Sequence, residues 1–479
     1  MTRTALRALT SSAVPPGVGL WRRLARRLAH SALSLTLAGA VSLGAFTTSA
    51  SAQRRIPIIR DAEVEALMRD YAAPILSAAG LGRSAIEVVI VNDRDFNAFV
   101  ADGRRIFINL GAILQSDTPG EVIGVLAHET GHLAGNHLAR IRQELARAQV
   151  ISAVAMLAGV AAVAAGAATG SRDVTRAGAG IVSGGGNVAA RTLLAYQRGE
   201  ELAADRAALT YLQASGQSAR GMLTVFRRFA GQTMFSGRYV DPYVLSHPLP
   251  NDRIALVERL AQQSRYYDRP DPAELQLRHD LVRAKLIASL EGARTIARHY
   301  PDSDTTLPAR YARAIAAGRF SSPREAARLF DQLIASAPSN PWFWEAKGQA
   351  MFEAGRAREA AEAYRRAIEL APDEPLIRVL YGAALVETGS DGVLRDAVNQ
   401  LERGLRTEQL AIGFRFLGRA YSRLGDDGLA VLAAASEAFA SGDIDGAKGF
   451  ARRAQGLLAR GSPGWLRAED IITYEPPRL

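Results

Sequence analysis

A spacing of 34 residues recurs in the C-terminal half: Ala326, Phe330 and Pro338 return as Ala360, Tyr364 and Pro372. A period of that length fits one pair of antiparallel helices, which cannot bury its apolar face alone, so successive pairs must stack. Trp344 and Gly348 complete the second unit. A third follows with Gly382, Ala397 and Leu401 and a short insertion around Ser390-Asp391-Gly392. Phe414, Gly418 and Tyr421 mark a degenerate fourth, and Gly442 to Ala454 a closing helix pair. Small residues set against large ones predict an α-α superhelix over 308–460, with a tail at 461–479. Arrays of this kind bind peptides or partner proteins through a concave face and are rarely catalytic.

The chemistry lies earlier, in Ala127-His128-Glu129-Thr130-Gly131-His132. On a helix, His128 and His132 stand one turn apart on one face, where two imidazoles can hold one metal ion. Glu129 lies beside them, placed to handle the proton of a water. This is the H-E-x-x-H arrangement of zinc hydrolases. Val122, Ile123, Val125 and Leu126 give the preceding turns the apolar character of a buried helix. Thr118-Pro119-Gly120-Glu121 reads as an N-cap, a Pro at the first helical position and a capping-box Glu. The spacing predicts a helix from Pro119 to about Arg147. His137 is nine residues past His128 and, on that helix, falls on the opposite side. The pattern H-E-x-x-H-x-x-G-x-x-H needs its third His at 138, which is Leu138, so His137 is expected to be a packing or surface residue.

The first fifty-two residues stand apart. Arg22, Arg23, Arg26 and Arg27 precede an apolar run from Ser31 to Phe46 and the small-residue site Ala50-Ser51-Ala52. This reads as a secretory signal peptide and predicts export to the periplasm. Six arginines and no acids precede Gln53, so the formal charge of +10 falls to ~+4 without the leader. No basic block interleaves with aromatics, and nucleic acid is not an expected partner. There is no cysteine. Disulfides and thiolate ligands are excluded, and any zinc must be held by His and carboxylate.

Between leader and repeats, Ala62 to Ala79 has helical spacing, with Val64, Leu67, Met68, Tyr71 and Ile75 on one side. Glu87 to Val91, Phe96 to Val100 and Arg105 to Leu110 read as strands of a small antiparallel sheet packed on the metal helix. Val150 to Gly170 is apolar and long enough to span a bilayer. The following stretch to Tyr196 is patchier, so 150–196 is expected to be either a hairpin lying on or re-entering a membrane, giving peripheral membrane contact through 150–170, or a buried lid. Glu200-Glu201-Leu202-Ala203-Ala204-Asp205 opens another helix. Two His ligands need a third protein donor. Glu201 is the best candidate, with Glu200 competing and Asp205 one turn on, placed to bond a ligand imidazole. His247, between Ser246 and Pro248, lies in a stiff loop. His247 or Arg253 could assist at the carbonyl oxygen, or His247 could occupy the fourth metal position at rest.

Asn97-Ala98-Phe99, Ile106 to Gly111, His128 to His132, Glu201 to Asp205, and Ser246-His247-Pro248 with Arg253 together resemble the gluzincin metallopeptidase family of HtpX and the CAAX prenyl proteases, most closely its exported, BepA-like branch with C-terminal tetratricopeptide repeats. The resemblance covers about residues 60–260. It implies one zinc ion per chain on His128, His132 and Glu201, Glu129 as general base, Asp205 behind the ligands and His247 near the metal. Arg104-Arg105 departs from it, since relatives often carry a second glycine there. The chain is thus expected to be mainly α: a signal peptide (1–52), a zincin-type α+β metalloprotease domain (53–262), a helical linker (263–307), and the repeats. The expected function is a periplasmic zinc endopeptidase whose repeats engage protein substrates and envelope assembly proteins, with a scaffold of latent proteolysis as the alternative.

Overall fold

The computed structural model describes residues 56–82, 86–235, 242–248 and 251–476. The expected leader lies outside them. Pro57–Leu479 forms one compact unit.

Strand β1 (Ile58–Ile59) leads into α1 (Ala62–Ala78), capped by the Asp61 carboxylate, which accepts the Val64 N–H at 3.0 Å. Val64, Leu67, Met68, Tyr71 and Ile75 are all buried, as their spacing predicts. Strands β2 (Glu87–Val91), β3 (Ala98–Asp102) and β4 (Arg105–Asn109) complete a sheet of order β1-β2-β4-β3. β2 and β4 are parallel, and only β1–β2 and β3–β4 are antiparallel. The all-antiparallel sheet is therefore corrected to a mixed one. The reason lies at Asn92-Asp93. This turn does not return β2 on itself; the Asp93 carbonyl accepts the Gly111 N–H at 2.9 Å and the chain crosses to the outer edge before its hairpin. At that hairpin the Asp102 carboxylate accepts the Arg104 N–H at 2.9 Å and pairs with Arg105 at 2.6 Å, so the two arginines are accommodated. Alternation along the strands sends Ile90, Ile106 and Ile108 into the main core.

After the short α2 (Leu110–Leu114) comes α3 (Pro119–Ala134), the helix with the paired histidines. Thr118 is the N-cap residue but its hydroxyl caps nothing. Glu121 instead accepts the Asp117 N–H and pairs with Arg228 at 2.5 Å, while Asp271 accepts the Gly120 N–H at 2.9 Å. The capping box is replaced by long-range partners. The helix also stops thirteen residues short of the expected Arg147. Asn136 turns left-handed, with φ 52°, the one positive-φ non-glycine among the described residues. From there α4 (His137–Thr169) leaves in a new direction, and α5 (Arg172–Ala214) returns beside it. Helices α6 (Arg220–Phe235), α7 (Pro242–Ser246) and α8 (Asn251–Gln262) close the site.

The expected linker contains α9 (Ala273–Leu290) and α10 (Ala293–His299). α9 is more than a spacer: Val282 and Leu286 join the core around α1 and α3, while Leu281 joins that of the repeats. His279 ties Tyr71 Oη (3.0 Å) to the Ser116 carbonyl (2.9 Å). Five helix pairs follow: α11 (Leu307–Phe320) with α12 (Pro323–Ser336), α13 (Pro341–Glu353) with α14 (Ala357–Leu370), α15 (Pro375–Glu387) with α16 (Leu394–Leu405), α17 (Ala411–Leu424) with α18 (Asp427–Ala440), and α19 (Ile444–Leu457) with α20 (Pro463–Thr473). The last helix falls in the expected tail. A Cβ at Gly348 would meet the Tyr364 ring at 2.7 Å, and one at Gly382 would meet Leu401 at 2.6 Å, which is why the small positions of the repeat are small.

Candidate metal centre

Three elements deliver the side chains. α3 carries His128 and His132 one turn apart, with Glu129 next to His128. α5 carries Glu201 and Asp205, also one turn apart. It packs closely on α3 because Gly131 has no side chain: a Cβ there would stand 2.7 Å from the Ala204 carbonyl oxygen. His247 follows α7, its N–H bonded to the Tyr243 carbonyl at 2.8 Å.

One donor atom from each of His128, His132, Glu201 and His247 lies within 4.8 Å of the other three. His128 Nε2 is 3.0 Å from His132 Nε2, 3.3 Å from His247 Nδ1 and 3.4 Å from Glu201 Oε2. Glu201 Oε1 is 3.3 Å from His132 Nε2 and 3.1 Å from His247 Nδ1. Four donors about 2.0–2.1 Å from a tetrahedral centre would be ~3.3 Å apart. The separations of 3.0–3.4 Å, taken to one or the other Glu201 oxygen, are of that size. A single imidazole nitrogen cannot satisfy three neighbours by sharing one proton, so the cluster fits a cation better than a hydrogen-bond network. Glu129 lies alongside, its buried Oε1 without a hydrogen-bond partner and 3.5 Å from His247 Nε2.

The electrostatics agree. Burial opposes charging of His128, but Asp205 and Glu201 outweigh it and push its pKa up to about 9. Burial and the neighbouring His128 push His132 down to about 3. Burial also opposes ionisation of Glu201, yet bonds from the three histidines hold its carboxyl far below the usual range. Glu129 is raised by burial. Without a metal the cluster is thus rich in negative charge and recruits a proton to His128; a dication answers the same need.

A surrounding layer holds the donors. Asp205 Oδ1 is 3.0 Å from His128 Nδ1, the orientation expected for a ligand imidazole. Arg253 grips Asp205 with Nε (2.5 Å) and Nη2 (2.9 Å) and reaches Glu201 Oε2 with Nη1 (2.9 Å). It is buried over the Phe226 ring. Arg253 thus bridges the two carboxylates of α5. His137, expected as a packing or surface residue, packs beside the donors. It is buried, with Nδ1 2.9 Å from His132 Nδ1 and Nε2 2.9 Å from Glu200 Oε2. Glu200, the rival ligand, thus supports His132 through His137. The break at Asn136 makes this possible, since on an unbroken helix His137 would face away. The only sequence signal for that break is Gly135-Asn136.

Residues 59–261 match Peptidase family M48, and residues 311–375 match Tetratricopeptide repeat. The chain is 25% identical over 298 residues to the beta-barrel assembly-enhancing protease of Escherichia coli (strain K12), covering 60% of this chain and 58% of that one. The beta-barrel assembly-enhancing protease of Yersinia pestis is 25% identical over 296 residues, with the same coverage. The chain therefore spans less than two thirds of the length of these curated relatives. Among solved structures, "MamA MSR-1 C2" is 16% identical at TM-score 0.30, covering 36% of this chain and 99% of that one.

Proposed function

We propose that this chain, which carries a peptidase family M48 domain followed by tetratricopeptide repeats, is a zinc-dependent endopeptidase of the periplasm acting in assembly or quality control of envelope proteins. The observation that carries the reading is the convergence of His128, His132 and Glu201 on one point with Glu129 beside it. These three side chains would hold one zinc ion per chain. When bound, zinc would supply Lewis acidity toward a peptide carbonyl and acidify water. Glu129 Oε1 takes the proton from the attacking water and returns it to the departing amine. Burial suits it to this, since a raised pKa brings a carboxylate closer to the working range of a general base. Asp205 fixes His128, the Glu200–His137 pair fixes His132, and Arg253 holds Asp205 and Glu201 in register.

His247 Nδ1 occupies the fourth corner of the donor set. With zinc bound, His247 would be a fourth donor at rest and would have to move aside to admit a peptide carbonyl. The repeats supply the partner-binding half. Between α17, α18 and α20 lies a groove of about 580 Å³ lined by Phe414, Leu417, Tyr421, Leu432, Phe439 and Tyr474, suited to an apolar peptide segment. Periplasmic placement rests on the arginine-then-apolar pattern of the first fifty-two residues, and the envelope role on the similarity to beta-barrel assembly-enhancing proteases.

The Glu129→Gln variant tests the reading. It keeps the donor set and removes only the base, so zinc content should stay at one per chain while cleavage of envelope proteins is lost. Unchanged cleavage would overturn the mechanism. Cleavage lost while the variant still corrects envelope defects would favour the scaffold alternative.

A further inference from the structure

We propose that the α4–α5 hairpin lies on a phospholipid bilayer, with the outer face of α4 sunk into the acyl boundary. The hairpin inverts the packing of a water-soluble protein. From Ala148 to Ile181 the buried positions are Gly159, Gly166 and Gly178, all glycine. They bring backbone against backbone: a Cβ at Gly178 would stand 2.7 Å from the Gly159 carbonyl oxygen, and one at Gly166 would stand 2.5 Å from the Thr175 nitrogen. The large apolar side chains face outward instead. Val150, Val154 and Leu157 are 64%, 60% and 72% exposed. On a helix turning about 100° per residue these three and the exposed Ile151, Met156 and Val160 spread over roughly 220°, centred about half a turn from Gly159 and Gly166. Small residues between helices and branched ones outside are what lipid-embedded helices show; in water the large residues would be turned inward. The buried lid is thereby set aside.

Charge defines the orientation. No charged residue occurs from 148 to 170, a helical length of ~34 Å. Arg140, Arg142 and Arg147 precede that stretch and Arg172 and Arg176 follow it, against Glu144 and Asp173 alone. A basic frame around an apolar face matches an anionic headgroup layer. It also disfavours two hairpins covering one another, since like charges would meet. Arg172 and Arg176 lie on α5 roughly 120–160° from Gly178, on the side turned from α4. With α4 in the acyl boundary they reach headgroups of the near leaflet, whereas a full crossing would require Arg172, Asp173 and Arg176 to be carried to the far side. The hairpin's root is the metal cluster: α4 begins at His137 and α5 carries Glu200 and Glu201. Lipid contact would therefore hold the site at the membrane surface. The inference goes beyond the peptidase reading and does not need it.

The test is flotation of the purified full chain with vesicles of phosphatidylethanolamine and phosphatidylglycerol, beside the double variant Val154→Glu/Leu157→Glu. Both residues are exposed, so the variant should fold, which circular dichroism and an unchanged melting temperature verify. Both proteins carry the same N-terminal segment, so any difference reports the hairpin. The parent protein should float, and the variant should lose vesicle binding by about tenfold or more, because charges at an acyl boundary are costly. Failure of the parent to float, or equal flotation of the variant, overturns the proposal. So does a dimer in sedimentation that the variant splits without any flotation, which would make a second copy the cover for this face.

Discussion

Replacing Lys285 by Met should unfold the joint between the metal-bearing half and the repeats. Lys285 sits on α9, buried, with Nζ 2.8 Å from Glu345 of α13, 2.9 Å from Asp61 at the start of α1 and 3.5 Å from Glu63. Tyr311 of α11 donates to Glu63 at 2.9 Å. One cation thus answers three carboxylates drawn from both halves. Burial works against the Lys285 charge, but Asp61 and Glu345 hold its pKa well above the usual lysine range. Methionine keeps most of the volume and removes the charge, leaving the acids uncompensated. Breaking a buried pair this way costs about 3–5 kcal/mol. The loss should be largest near pH 8 and shrink toward pH 5. Burial raises the pKa of both Glu63 and Glu345, so acid neutralises them in the folded state. Urea denaturation followed by tryptophan emission reads this directly, since Trp342 and Trp344 share α13 with Glu345. A loss below about 1 kcal/mol at pH 8, well short of that range, or one of equal size at both pH values, would refute the reasoning.

Three further outcomes are expected. Burial pushes Glu63 up to about 7 from 4.5; a raised acid contributes its stability below pH 4.5 and loses it as pH rises through 7, a span worth up to ~3 kcal/mol, so Glu63→Gln should flatten the stability–pH curve over that window. Gly131→Ala would press a methyl on the Ala204 backbone and force α3 and α5 apart, costing about 1–3 kcal/mol and lowering zinc content in metal analysis. His247→Ala frees the fourth donor position, so cleavage of an unfolded protein should rise while zinc binding weakens; loss of cleavage with zinc retained would instead make His247 a transition-state residue.

How much of this was visible beforehand depends on how local the determining geometry is. His128 with His132, and Glu201 with Asp205, are pairs one helical turn apart, so the sequence spacing already sets which side chains share a face. The repeats were legible for a similar reason: Gly348 and Gly382 recur 34 residues apart, one against Tyr364 and the other against Leu401, the second pair lengthened by the insertion around Ser390-Asp391-Gly392. The sheet was not, because parallel pairing of β2 with β4 depends on where the chain goes after Asp93, and the carbonyl there is claimed by Gly111, eighteen residues on. The capping of α3 failed likewise, its partners Arg228 and Asp271 lying more than a hundred residues away.

His137 carries the lesson further, because one left-handed residue reverses its role. With α3 unbroken it would point away from the donors; with Asn136 at φ 52° it bonds His132 on one side and Glu200 on the other. The same residue launches the hairpin, so the bend that supports His132 also sets the direction in which α4 leaves the site. Glu200 and Glu201 sit side by side on the returning leg, one reaching the support and one the donor set. A displacement of the hairpin would therefore act on His132 through His137 and on the donor set through Glu201 at once. That couples the donor geometry to whatever the outer face of α4 rests on, with the left-handed turn at Asn136 shared by both.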